Sequence, residues 1–347
     1  MRLRLWRYEM SLRSPIHAAR QRHDSRSHLF LEVDQDAVTG LGEISPQPFT
    51  LNGDPGVDDV LAELVSFNLP QLLEIHRREG LVPQWARVTH LTGSRPASRF
   101  AAALVEMAVL DWQLRSEGRS IEDHWPARFT TPEQVTVSLL DDNPWATRDA
   151  AQIRAKVSAV AVTSSRWPEL AALGRPVVLD FNCSAPDAGA VVDLVDAARR
   201  HVVVAAVEQP FGVGNLVEHA RLAEMLDLPL SLDEGVRQRR DIDQISRYRA
   251  ARWVCVKPAR VGGFAQARTL IELAGYRGLE VYLGGFFESP LARRANRTLA
   301  RHLVSRPSDI GESPIDAHDV LVPTAGGLGF RVGPALEAMT PLVSLVS

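Results

Sequence analysis

The chain is short of cysteine, of net charge and of long apolar runs, and each shortage removes a class of protein. Cys183 and Cys255 are its only cysteines, too few for a disulfide scaffold and without the CxxC spacing of a zinc site. The 39 basic and 42 acidic residues leave a formal charge of −3, so no overall field favours nucleic acid or an anionic membrane. No run of about 18 apolar residues offers a membrane span, and Met1-Arg2-Leu3-Arg4-Leu5-Trp6 leads into no apolar stretch of signal-peptide length. A cytoplasmic protein with neither nucleic acid nor membrane as partner is therefore expected. Flexible Pro/Gly/Ser linkers and low-complexity tracts are missing too. Gly212-Val213-Gly214 and Gly326-Gly327-Leu328-Gly329 lack the strand, helix and downstream acid of a dinucleotide site and read as turns. No serine or cysteine is set up as a nucleophile.

What is present suits a large core: 347 residues, of which 45 % are hydrophobic. Residues 3–10, 28–34 and 37–44 read as strands of a small antiparallel sheet. The link between the first two, 14–26, is long, polar and basic. It reads either as a loop that closes over an acidic ligand, with His17, Arg20 and His23 as contacts, or as a plain solvated loop. Helical patterns follow at 57–66, 68–78 and 97–116, the last with Phe100, Leu104, Met107, Leu110 and Leu114 on one face. Residues 1–130 thus form an α+β capping domain.

From Val135 the pattern alternates strand and helix. Four strands end in a chemically active residue at roughly 25-residue intervals: Asp180 after Val178-Leu179, Glu208 after Ala206-Val207, Asp233 after Ser231-Leu232, and Lys257 after Cys255-Val256. Further strands fit 135–140, 153–159 and 279–283, with a weak eighth at 309–312. Helices are expected at 187–200, 214–226, 239–249, 263–275 and 288–304. The fold class is α/β, a modified TIM-type barrel of the (β/α)7β kind over 131–318, and 319–347 returns to the capping domain. In such barrels the C-terminal rim carries the chemistry.

Three carboxylates on successive strand ends repel unless a cation sits between them, and oxygen-only ligands select a hard ion, Mg2+ or Mn2+. Asp180, Glu208 and Asp233 are the expected ligands, with Asn182 and Glu234 supporting them; each acid taken singly reads equally well as a helix cap. Lys257 faces the same rim. In Ile153-Arg154-Ala155-Lys156-Val157 two cations share one strand face. A neighbouring Arg154 disfavours the charged form of Lys156 and moves it toward a base. Two amines flanking a metal-bound carboxylate are suited to pulling a proton from the adjacent carbon.

These segments resemble the muconate-lactonizing-enzyme subgroup of the enolase superfamily, which carries K-x-K on the second barrel strand, Asp, Glu and Asp on the next three and Lys on the sixth. Gly42-Glu43-Ile44-Ser45-Pro46 and the Glu106/Asp111 pair fit the same resemblance. Gly284-Gly285-Phe286-Phe287-Glu288-Ser289, with Arg294 and Asn296, is similar to the seventh-strand motif of o-succinylbenzoate synthases and N-acylamino-acid racemases. The resemblance implies Lys156 and Lys257 as catalytic residues, one Mg2+, and a small carboxylate substrate; Ser138, Gly285, Glu288 and Arg154 join as substrate-binding or supporting residues. Of the reactions it implies, o-succinylbenzoate synthesis in menaquinone formation comes first; N-acylamino-acid racemisation, dipeptide epimerisation and muconate cycloisomerisation are alternatives. Arg154 replaces the first lysine of K-x-K, and a rival register would put Ser158 in place of the base. A barrel that binds ligand without catalysis therefore stays open, as does a homo-oligomer.

Overall fold

The computed structural model describes residues 1–18, 21–79, 95–130, 133–142, 145 and 150–346. Strands β1 (Arg2–Ala18), β2 (Gln21–Gln35) and β3 (Val38–Ile44) form an antiparallel sheet, and β13 (Val343–Val346) pairs with the free edge of β1. The period of two assigns its faces. Leu3, Leu5, Leu29 and Leu31 pack on helices α1 (Val57–Glu63), α2 (Leu69–Glu79) and α3 (Pro96–Ser116), while Trp6, Met10, Phe30 and Leu41 join the core of the barrel. Both faces of this sheet are covered, and each buried large side chain contributes about 1.5–3 kcal/mol. At Gly42 a Cβ would lie 2.6 Å from the Leu104 carbonyl oxygen, so glycine lets α3 lie directly on β3.

Within the basic link 14–26, residues 14–18 and 21–26 are strand rather than loop. β1 and β2 run through it, with the register shifting between Ser11↔Ser25 and Ile16↔His23. The polar side chains concealed it, because pairing there rests on backbone hydrogen bonds that any sequence can make. α1 and α2 are joined by one π-helical turn, Leu64–Asn68, into a continuous rod.

The second layer is a curled parallel sheet of β4 (Gln134–Ser138), β5 (Gln152–Lys156), β6 (Val177–Asp180), β7 (Val204–Glu208), β8 (Leu230–Leu232), β9 (Trp253–Val256) and β10 (Glu280–Leu283), each paired with the next. The eighth strand expected at 309–312 is reduced to two parallel bridges, Glu133↔Ser308 and Gly284↔Asp309, which join the sheet's two edges into a ring. Short α4 (Ile121–His124) precedes the ring, and α5 (Trp167–Ala172) is the abbreviated helix between β5 and β6. The outer layer continues with α6 (Ala188–Arg199), α7 (Leu216–Met225), α8 (Arg239–Tyr248), α9 (Pro258–Val261), α10 (Phe264–Tyr276) and α11 (Pro290–Leu303). A hairpin of β11 (Leu321–Pro323) and β12 (Phe330–Val332) and the turn α12 (Pro334–Glu337) lead to β13. Val177, Leu179, Val207 and Val254 pack outward in the main core; Val178, Ala206, Cys255 and Tyr282 form a separate inner cluster. Two residues beyond 178, 206 and 255, on the same inner face, stand Asp180, Glu208 and Lys257.

Candidate active site

At these strand ends Arg154, Lys156, Asp233 and Lys257 line a cavity of about 510 Å³. Lys156, paired in register with Asp180, places its Nζ 2.6 Å from Asp180 Oδ2. Lys257 places its Nζ 2.8 Å from Asp233 Oδ2 and 5.0 Å from the centre of the Phe286 ring. Strands β5 and β9 are the second and sixth members of a ring with eight positions, so the two amines enter from opposite sides. Ser158 lies past the end of β5, before a 3-10 turn, and Lys156 holds the cavity position.

Charge in the site is closely matched. Arg154 donates to Glu208 Oε2 at 2.6 Å, to Asp309 Oδ2 at 3.1 Å and to the Tyr282 hydroxyl at 3.1 Å, and lies 3.5 Å from Asp180. Tyr282 donates to Glu208 Oε2 at 2.6 Å. Burial pushes the Glu208 carboxyl up to about 8; Arg154 pulls it down, while Asp180 and Asp233 add to the rise. Asp233 goes the other way: burial opposes its charge, but Arg260 and Lys257 outweigh it and hold it well below the usual carboxylate range. Lys257 is raised, its desolvation outweighed by Asp233. Glu234 is raised by burial and then by Asp233 and Asp180.

The capping domain closes the mouth. Arg260 forms a two-point pair with Asp54 at 2.8 and 2.7 Å while donating to Asp233 at 2.6 Å. Asn52 donates to Glu234 Oε1 at 3.4 Å, as does Asn182 at 3.3 Å. His23 lines the cavity, and burial, then Arg26 and Lys156, lowers its pKa to about 4, so its imidazole is neutral. Arg26 is 1 % exposed, lies 5.0 Å over the Phe287 ring, and keeps Nε and Nη2 without hydrogen-bond partners.

Other expected residues fall less centrally. Ser138 ends β4 at the cavity wall, and its carbonyl oxygen accepts from Trp145 and Arg166. Gly285 lines the cavity, while Glu288 turns aside to Arg293 at 2.8 Å, to the Phe286 amide and to Asn296. Arg294 pairs with Glu122, away from the cavity. Arg20 and the side chain of His17 lie outside the described residues.

For a divalent ion the donor set is suitable: Asp180, Glu208 and Asp233 are buried oxygen donors on adjacent strand ends, and the buried Glu234 Oε2 and Asn182 Oδ1 have no hydrogen-bond partner. As the side chains stand, no three His, Cys, Asp or Glu among the described residues converge on one point; Arg154, Lys156, Lys257 and Arg260 pair with the carboxylates instead.

The sequence reading missed Asp309, Tyr282, Asp54, Arg260 and Arg26. It also passed over a signal in plain view. Of the 39 lysines and arginines just two are lysines, and they are Lys156 and Lys257.

The family described as "Enolase C-terminal domain-like" matches residues 152–334. The chain belongs to the enolase superfamily. Members of that superfamily generally use Mg2+. An N-succinylamino acid racemase of Amycolatopsis is 27 % identical over 99 % of this chain and 95 % of its own length. An o-succinylbenzoate synthase of Bacillus subtilis is 26 % identical over 90 % of this chain and 85 % of its own. The solved N-succinyl Arg/Lys racemase of Bacillus cereus superposes with a TM-score of 0.82 at 17 % identity, covering 99 % of this chain and 98 % of that one, a likeness of fold.

Proposed function

We propose that this enolase-superfamily protein removes the proton alpha to a carboxylate of a small carboxylate substrate, with Lys156 as the base, and that the reaction is a dehydration of the o-succinylbenzoate synthase type. The supporting observation is the pair of lysines. A guanidinium cannot shed its proton near neutrality, whereas an amine can. A chain that uses arginine for nearly every cation carries amines only at two opposed positions of one cavity. Arg154, at a position that needs only a fixed cation, is an arginine.

In the proposed reaction Lys156 Nζ, as free amine, takes the α-proton. The C–H electron pair moves toward the carboxylate and returns to expel hydroxide from the neighbouring carbon; the hydroxide takes the proton back from the Lys156 ammonium and leaves as water, so a double bond forms and the free amine is restored. Lys257, held as a cation by Asp233, stabilises the negative charge from the far side. A bound Mg2+ or Mn2+, held by Asp180, Glu208 and Asp233, would supply further positive charge to the carboxylate. Arg26, with two free donors, suits a second anionic group on the substrate.

Racemisation of an N-succinylamino acid is the second reading, supported by the similarity to the Amycolatopsis racemase along 99 % of the chain. It needs each lysine to lose a proton in turn, which the raised pKa of Lys257 opposes. The protein is assayed with Mg2+ in deuterated water. The dehydration predicts aromatic product from the hydroxycyclohexadiene carboxylate and no deuterium at the α-carbon of either N-succinylamino acid enantiomer; exchange in both gives the racemase. Lys156→Ala lowers turnover by about 10²–10⁴-fold. Turnover that survives this change, or that persists undiminished after dialysis against EDTA, sinks the assignment of base or metal respectively. No turnover with any of these substrates leaves the ligand-binding barrel.

A further inference from the structure

A second cavity, of about 460 Å³, shares no lining residue with the first. Residues 233–237 divide them: Asp233 and Glu234 line the catalytic side, Gly235 and Arg237 the other. Three guanidinium groups, Arg99, Arg237 and Arg240, line this cavity against one carboxylate, Asp241. That carboxylate is already engaged, its Oδ2 accepting from the amides of Arg237 and Gln238 at 3.0 Å each and its Oδ1 3.8 Å from Arg240 Nε, while Arg237 Nη2 lies 3.8 Å from Asp54 Oδ1 of the first cavity. The surplus is positive.

His219 supplies the second observation. It is 1 % exposed, and its Nδ1 lies 2.7 Å from the Asn215 carbonyl oxygen. A carbonyl only accepts, so Nδ1 carries the proton. Burial disfavours the imidazolium, which leaves the ring neutral and makes Nε2 an acceptor. That Nε2 is buried without a hydrogen-bond partner, and so is Arg237 Nε. An unmet donor and an unmet acceptor on one cationic cavity call for an anion that also carries a proton to give.

We propose that this cavity is a second ligand site, which takes hydrogen phosphate or a phosphate monoester. The phosphoryl oxygens accept from Arg237 and Arg240, with Arg99 adding charge, and the P–OH donates to His219 Nε2. Such monoesters retain a share of the singly protonated form near neutrality, their second pKa being about 6. A volume of about 460 Å³ leaves room for an organic group beyond the phosphate. Sulfate has the same shape and no proton, so it is the discriminating control.

The test combines calorimetry on the full chain with crystals soaked in inorganic phosphate, in sulfate, and in glycerol phosphate, at matched ionic strength. Phosphate is expected between Arg237, Arg240 and His219, bound about tenfold more tightly than sulfate. Arg240→Ala, at the exposed rim, weakens phosphate by about tenfold. His219→Phe removes the preference for phosphate over sulfate; if that variant fails to fold, the comparison on the native chain still decides. Tighter binding of glycerol phosphate than of inorganic phosphate assigns the site to a monoester, and the reverse order assigns it to the free ion. Anion found in the catalytic cavity alone, equal affinity for phosphate and sulfate, or an Arg240→Ala variant that binds phosphate as the native chain does would each overturn the proposal.

Discussion

Arg154 is 1 % exposed and serves Glu208, Asp309 and Tyr282 at once. A guanidinium in that position is costly to desolvate, and its pKa nonetheless rises because Glu208 and Asp309 outweigh burial. Removing it strands charge that has no other partner of the same reach. Arg154→Met is therefore expected to lower stability by about 3–5 kcal/mol, read as a shift of the urea midpoint at unchanged slope. A midpoint within error of the native chain would show that Glu208 and Asp309 relax elsewhere. Lys257 differs in kind. In the proposed reaction it acts as a cation, so Lys257→Arg is expected to keep a measurable part of the turnover, whereas Lys156→Arg keeps none; equal losses in the two variants would contradict the proposed division of labour between base and fixed charge.

The helix α3 joins the capping domain to the barrel through two buried acids. Glu106 accepts from the amides of Phe264 and Ala265 at the start of α10, and Asp111 accepts from Leu41 in β3 and Leu328 in the tail. Burial raises the Glu106 pKa from 4.5 to about 8, although both amides pull it down. The folded carboxyl thus binds its proton more tightly than the unfolded one, and the native state holds more protons across this window. Stability contributed by this group falls as pH rises from 4.5 to about 8. Glu106→Gln should flatten that part of the stability–pH profile, measured by denaturation at several pH values; a profile unchanged in slope would place the titration elsewhere. At Gly263, where φ is +113°, any Cβ would meet the Glu106 carboxylate, so this junction requires glycine. Elements of this kind were legible in part. Asp180, Glu208, Asp233 and Lys257 could be read from the chain because strand, carboxylate and spacing recur together. Asp309 was reached only as the start of a weak eighth strand and not as a site residue, since Arg306-Pro307-Ser308 before it is no apolar run of the kind that marks the other strand ends. Tyr282 read as one more apolar strand residue, and Arg26 was lost in a stretch that looked like a polar loop but is paired backbone.

At the scale of the molecule, the sheet edge of β1 is covered by β13 from the far end of the chain. Removing residues 343–347 uncovers that edge and forfeits the ladder from Arg2↔Val346 to Leu5↔Val343. The thermal midpoint is expected to drop by about 5 °C, while turnover at 25 °C survives because no cavity residue is lost. A midpoint that stays put would mean the strand contributes nothing. The whole molecule has one other property of practical weight. Its two side-chain amines both face the same cavity, and every other basic side chain of the Lys/Arg kind is a guanidinium. Apart from the amino terminus, a reagent selective for primary amines has nowhere else to react. Labelling stoichiometry therefore reads the state of the cavity directly: a bound substrate shields both sites together, and mass spectrometry of the intact chain counts them without mutation or digestion.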